Sequence, residues 1–172
     1  VRRAARQALE HKEDYSIQLG DPLGHWGSFE RWPDGTTTVP DGWNVLSGSG
    51  TVAREATIKY SGRYSLAQTN TVSNPYVLRS DNIPGFPKFA GEVVTLRAKI
   101  YTTTGARVRI QLVDGVNTFS SGYHDGNNGW DGNDGEPITT GAVTIAAAPT
   151  LLRVQLDMAS GAAITAYWGK VW

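Results

Sequence analysis

The sequence predicts an all-β chain, an antiparallel β-sandwich of the jelly-roll kind, with a short N-terminal helical arm. Three observations predict it. After "GDPLGHWG", Gly and Pro punctuate the chain roughly every ten residues. The runs between them are short, and the strongest alternate apolar and polar residues. One apolar face per run marks strands that pack on one side and meet solvent on the other.

Residues 1–14, "VRRAARQALEHKED", form a unit of their own. Val1, Ala4, Ala5, Ala8 and Leu9 fall at helical spacing, with Arg2, Arg3, Arg6 and Glu10 on the other faces. Ala, Arg, Gln, Leu and Glu favour helix. A helix of about 12 residues is marginal alone and gains from something to pack against. The plain reading is a frayed surface helix, and the sharper one is an anchor in which Val1, Ala5, Ala8 and Leu9 dock on a partner. A boundary near residues 15–25 divides an arm and linker, 1–25, from a sandwich domain, 26–172.

The strand-like runs follow in order: 28–32, 42–47, 51–57, 63–71, 75–80, 92–102, 106–114, 117–123, 141–146, 151–158 and 163–172. In 92–102, Val94, Leu96, Ala98 and Ile100 share a face, and Thr95, Arg97 and Lys99 share the other. In 106–114, Val108, Ile110 and Leu112 face inward, opposite Arg107, Arg109 and Gln111. "TTGA" between these two runs reads as a hairpin turn. In 151–158, Leu152, Val154, Leu156 and Met158 alternate with Arg153, Gln155 and Asp157. If those strands are neighbours, their polar sides make a basic, hydrogen-bond-rich face. The ordinary reading of such a face is solvated and protective, and the alternative is a subunit contact or a polyanion site.

Composition removes several classes of function. The formal net charge is zero, so no global field steers the chain to nucleic acid or anionic lipid. There is no cysteine, hence no disulfide and no thiolate chemistry. No apolar run approaches the ~20 residues that span a bilayer. The N-terminus lacks the apolar core of a signal peptide. Neither a nucleic-acid nor a membrane partner is expected.

"GYHDGNNGWDGNDGEP", residues 122–137, is the least ordinary stretch. An EF-hand loop needs Asp, Asp/Asn and Asp/Asn at positions 1, 3 and 5, Gly at 6 and Glu at 12. Counting from Asp125, Asn127 and Glu136 fit, but the fifth and sixth positions are Gly129 and Trp130. Counting from Asp131, Asn133 fits, but the next two are Gly135 and Glu136. Another oxygen-rich calcium site stays open, although Asp, Asn and Gly are also what turns demand. As an acid/base site the loop is a poor frame, because catalytic groups need rigid support. His124 beside Asp125 has no nucleophile to serve. The chain has no Gly-x-Ser-x-Gly, no His-Glu-x-x-His and no phosphate-cradling loop, and "SGSG" (47–50) reads as a turn. No catalytic residue is assigned, and an enzyme is not expected.

Six Trp and seven Tyr make the chain rich in rings. Phe29, Trp32, Trp43, Trp168 and Trp172 are expected to seal the sandwich. Tyr76, Tyr123 and Trp130 sit at strand ends or in loops, so they are the candidates for exposed carbohydrate-binding rings. Against that, single surface aromatics are common and need no function.

Residues 27–172 resemble jelly-roll carbohydrate-binding modules. The resemblance is carried by "GSFERW", "PDGW", "SGRYSLAQT", "GEVVTLRAKIYTTTGARVRIQLVDG", "YHDGNNGW" and "LRVQLDMASGAAITAYWGKVW". It implies that Trp130 opens a strand after the tip "HDGNNG", and that "DGNDGEPITTG" is an insertion before the next strand. It also implies that Glu30, in the Phe-Glu motif, is where a structural calcium would be held. The other ligands have no counterpart here, so no metal or cofactor is assigned.

Domains of this look occur on glycoside hydrolases and in tailed-bacteriophage virions. "FAGEVVTLRA" with "TTTGARVRIQLVDG", and the basic arm, resemble the virion proteins more. The resemblance therefore implies a non-enzymatic structural protein of a tailed bacteriophage, decorating capsid or tail. Its partners would be other virion proteins, as a homotrimer, with contacts to cell-surface glycans; it would be assembled in the host cytoplasm. The alternative is a carbohydrate-binding module of a secreted bacterial glycoside hydrolase or adhesin.

Overall fold

The computed structural model describes residues 23–72, 74–130 and 136–172. Among them, ten strands form two five-stranded sheets in which all pairings are antiparallel. In chain order they are β1 (Trp43–Gly48), β2 (Gly50–Glu55), β3 (Ser65–Asn70), β4 (Tyr76–Ser80), β5 (Val93–Tyr101), β6 (Val108–Val113), β7 (Thr118–Ser120), β8 (Ile138–Thr144), β9 (Arg153–Met158) and β10 (Thr165–Val171). The first sheet has the order β1-β4-β9-β6-β7, and the second β2-β3-β10-β5-β8. Among the described residues, helix is confined to a single turn, α1 (His25–Ser28), and a 3-10 turn at Phe86–Phe89.

Alternation builds the core. Leu96, Ala98 and Ile100 of β5 face Val108, Ile110 and Leu112 of β6 across the sandwich, and Val154, Leu156 and Met158 of β9 and Trp168 of β10 fill the space between. A slip of one residue would turn each set outward, so the register is strongly specified.

The run at 28–32 is not a strand. Phe29 takes a left-handed conformation at the end of α1, with φ 57°, and no extended run passes through it. The segment plugs one end of the sandwich instead. Leu23 and Phe29 are buried, the Phe29 and Trp43 rings lie 5.5 Å apart, and Trp43 Nε1 donates to the Trp26 carbonyl at 2.9 Å. Gly27 is required there, since a Cβ would lie 2.0 Å from the Val171 oxygen. The expected helical arm, with Val1, Ala5, Ala8 and Leu9, lies outside the described residues, as does most of the 1–25 segment.

"TTGA" is not a hairpin turn. β5 pairs with β8 and β10 in the second sheet, and β6 pairs with β7 and β9 in the first. The connection carries the chain from one sheet to the other. Two alternating runs joined by a short turn look the same in sequence whether they pair or face each other across a core, because the inward set is the same.

The expected basic face is therefore divided. Arg97 and Lys99 lie outside the second sheet. Arg109, Gln111, Arg153, Gln155 and Asp157 lie outside the first, with Arg107 at the entry to β6. That first-sheet face is largely self-paired. Arg109 Nε meets Asp157 Oδ2 at 2.7 Å, Gln111 Nε2 donates to Ser120 Oγ at 2.9 Å, and Arg153 Nε donates to Asn82 Oδ1 at 2.9 Å.

Candidate functional site

The loop after β7 crosses from the first sheet to the second, and its chemistry is structural. His124 is fully buried. Its Nδ1 accepts from the Gly126 N–H at 2.9 Å, and its Nε2 lies 3.1 Å from the Ile100 carbonyl. One nitrogen accepts and the other must donate, which assigns the neutral Nε2–H tautomer. The Asp125 carboxylate 3.5 Å from Nδ1 is then no ion-pair partner. With both ring nitrogens occupied, His124 is a latch and not a base.

A second latch is steric. A Cβ on Gly126 would lie 2.2 Å from the Gly105 nitrogen, and one on Gly105 would lie 2.3 Å from the Asp125 oxygen. The loop thus lies directly on the β5–β6 connection. Beyond it run two successive Asx turns, Asn127 N–H to Asp125 Oδ1 and Gly129 N–H to Asn127 Oδ1, each 3.0 Å. The Tyr101 hydroxyl donates to Asn128 Oδ1.

These contacts carry Trp130 onto the outer face of the second sheet. Its ring centroid lies 5.8 Å from Tyr101 and 5.9 Å from Tyr60, and Tyr101 lies 5.8 Å from Tyr167. All three distances fall in the range of favourable tilted or edge-to-face pairs. Tyr101 and Tyr167 stand opposite each other on β5 and β10. A register shift between Trp168 and Lys170 places Gly169 beneath the rings, where a Cβ would lie 2.3 Å from Tyr60 Cβ and 2.7 Å from Trp130 Cζ3. Tyr60 is 46% exposed, and the other three rings are half-buried. The result is a continuous, partly exposed aromatic platform on a rigid sheet.

Basic groups stand beside it. Lys99 and Lys170 are register partners on β5 and β10. The Lys99 ammonium lies 5.5 Å above the Tyr60 ring, and that of Lys170 lies 5.6 Å above Trp172. Arg97 is exposed two residues from Lys99, and its backbone exchanges two hydrogen bonds with Trp172, of 2.8 and 3.0 Å.

Of the three ring candidates, Trp130 alone reaches this platform. It lies in a bend, and the next strand among the described residues, β8, begins at Ile138. Tyr76 is 4% exposed, so the expectation of an exposed ring there is corrected. It shares the inward phase of β4 with Leu78 and Ser80, and its ring covers Gly50, where a Cβ would lie 2.6 Å from Cδ1. Burial pushes its hydroxyl pKa up. Tyr123 is exposed on the other side of the loop, under the Arg109 guanidinium at 4.9 Å. It borders a pocket of about 220 Å³ with Glu136, Pro137 and Ile138. Tyr60, Tyr101 and Tyr167 were not among the candidates. Tyr101 had a signal: it continues the polar phase of Arg97 and Lys99.

Glu30 does not suit a calcium ion in this arrangement. Its Oε1 accepts the N–H groups of Arg63 at 2.8 Å and Tyr64 at 3.2 Å, and Oε2 lies 3.6 Å from Arg63 Nε. Both oxygens thus face donors. Among the described residues no group of three or more His, Asp or Glu converges. Glu30 fixes the turn before β3.

No family model and no curated protein matches this sequence. Solved structures match in fold. The C-terminal family 22 carbohydrate-binding module of Clostridium thermocellum Xyn10B superposes with a TM-score of 0.53 at 16% identity, covering 84% of this chain and 88% of that one. A xylan-binding domain of Paenibacillus barcinonensis Xyn10C, CBM22-2, superposes with a TM-score of 0.53 at 12% identity, covering 77% and 90%. An exo-β-agarase superposes with a TM-score of 0.51 at 12% identity, covering 85% of this chain and 24% of that one. The chain is thus an antiparallel jelly-roll sandwich with the fold of carbohydrate-binding modules.

Proposed function

We propose that this chain is a non-catalytic carbohydrate-binding domain that stacks sugar rings on the outer face of the second sheet. The carrying observation is the chain of four rings, Tyr60, Trp130, Tyr101 and Tyr167, spaced 5.8–5.9 Å apart. The C–H faces of a pyranose are apolar and flat, and a half-exposed ring removes them from water. Asn128 beside Tyr101 supplies polar atoms for hydroxyl groups. Support comes also from the fold, which is that of modules described as binding xylan. A binding role suits the loop as well, because His124 is spent on holding it.

Of the two expectations drawn from the sequence, this reading takes the carbohydrate-binding module. Assembly on a virion rested on the arm at residues 1–14, outside the described residues, and on the look of "FAGEVVTLRA" and "TTTGARVRIQLVDG"; the matched folds, which are carbohydrate-binding modules and an agarase, do not support it.

The test is affinity electrophoresis of the full chain against a panel of soluble polysaccharides, with Trp130→Ala and Tyr60→Ala alongside. At least one polysaccharide should retard the parent chain. Each variant should weaken that binding about tenfold, the order expected for losing one buried ring face, while circular dichroism stays unchanged. Retardation by no polysaccharide would overturn the reading.

A further inference from the structure

We infer that the second-sheet platform selects acidic saccharides, with Arg97 and Lys170 meeting a carboxylate or sulfate on a sugar stacked against the rings. The inference rests on the sugar-binding reading above and deepens it to a ligand class.

The chain as a whole is neutral, so concentrated charge is a local matter. On this face positive charge is concentrated. Arg97 and Lys99 share the outward phase of β5, and Lys170 is the register partner of Lys99 on β10. The rings of the platform occupy the same two strands, at Tyr101 and Tyr167.

Carboxylates on the strands of this sheet make no ion pair with Arg97 or Lys170. Glu55 ends β2 two strands from β10, roughly level with Lys170, and its Oε1 is held by the N–H groups of Thr57 and Ile58. Those bonds, that of Thr57 foremost, keep its carboxyl below the usual carboxylate value. Among the described residues, neither Arg97 nor Lys170 makes an ion pair. The contrast with the first sheet is direct, since there Arg109 is paired to Asp157 at 2.7 Å. On the first face Arg109 has its carboxylate, whereas on the second Arg97 and Lys170 stand without an ion pair beside a stacking surface.

Arginine adds a geometric reason. A guanidinium binds carboxylate or sulfate through two parallel hydrogen bonds, while an ammonium acts as a point charge. Arg97 is exposed, and its backbone is fixed by Trp172, so its side chain starts from a defined place.

The test is isothermal titration of the full chain with glucuronoxylan, the same polymer after carboxyl reduction, and a sulfated galactan. Glucuronoxylan should bind about tenfold tighter than its reduced form, the order expected for one or two partly exposed charge pairs. Raising the salt from 20 to 500 mM should remove most of that difference, since exposed pairs are screened over about a Debye length. Arg97→Gln with Lys170→Gln should remove it at low salt and keep affinity for the reduced polymer. Tighter binding of the sulfated galactan than of glucuronoxylan would assign sulfate in place of carboxylate as the preferred anion. Equal affinity for glucuronoxylan and its reduced form would overturn the inference and leave the sugar-binding reading standing. Binding to none of the three, with none in the wider panel, would overturn both.

Discussion

The Tyr101 hydroxyl donates to the side-chain oxygen of Asn128, tying strand β5 to the loop that delivers Trp130. The bond joins two parts of the platform that are far apart in mechanism. Tyr101 is positioned by sheet register, and Trp130 by loop turns. Removing the hydroxyl in Tyr101→Phe keeps the stacking ring and frees the loop. Saccharide affinity should fall about three- to tenfold, with unfolding free energy lowered by about 1 kcal/mol. Isothermal titration and urea denaturation together separate the two effects.

Gly169 is where the rings come closest to the backbone. Gly169→Ala places a methyl group 2.3 Å from Tyr60 Cβ and against the Trp130 ring. The rings must move, because the clash on the Tyr60 side is with an atom next to its backbone. The variant should lose about 1–3 kcal/mol of stability and most of its saccharide binding. A shift in tryptophan fluorescence at unchanged far-ultraviolet dichroism would report the displaced Trp130.

His124 should matter for folding and not for chemistry. His124→Ala removes a fully buried ring together with its bonds to Gly126 and Ile100. A loss of about 2–4 kcal/mol is expected in urea denaturation.

Asp114 gives the fold an acid-sensitive contribution. Burial pushes its carboxyl up, but the N–H groups of Asn117, Ala146 and Val116 outweigh burial and hold it below the usual carboxylate value. Oδ1 accepts from Val116 at 2.8 Å and Asn117 at 2.6 Å, and Oδ2 from Ala146 at 2.9 Å. A carboxyl lowered on folding binds fewer protons folded than unfolded. Its stabilisation is therefore complete above the unfolded value, about 3.9 for Asp, and drains away as pH falls through the lower folded value. Asp114→Asn should flatten that acid limb in a series of urea titrations run from neutral pH downward.

Tyr123 and Tyr76 separate the platform from the other rings. Tyr123 lies on the far side of the loop, under the Arg109 guanidinium. Tyr123→Ala should leave saccharide affinity within twofold of the parent. Tyr76→Ala should cost about 3–5 kcal/mol, because it empties core space. Affinity electrophoresis checks the first, and urea denaturation the second.

Most of the sandwich was legible in the sequence, because period-two alternation is what a half-buried strand requires. The ten strands fall within a few residues of the expected runs from "GWNVLS" onward. Alternation says which side of a strand is buried, though, and nothing about its neighbour. That is why "TTGA" (103–106) read as a hairpin turn and is a crossing between sheets. The site was legible only in part. Trp130 stood out because a loop of Gly, Asn and Asp displays it. Tyr101 carried a signal in its phase, beside Arg97 and Lys99, and Tyr76 carried the opposite signal beside Leu78. Tyr60 had none, since it lies between β2 and β3 and meets Trp130 only through the fold. The platform is a property of four separate segments, and no single run of sequence contains it.

The most direct test of the central claim is a chemical-shift titration of the uniformly ¹⁵N-labelled full chain with an oligosaccharide from the best-binding polysaccharide. Six indole N–H signals are expected, one for each Trp. The Trp130 indole should move, together with backbone amides around Tyr60, Tyr101 and Tyr167, while the buried Trp43 and Trp168 indoles stay in place. Shifts gathered on the first sheet around Tyr123 and Arg109, with Trp130 unmoved, would contradict the account.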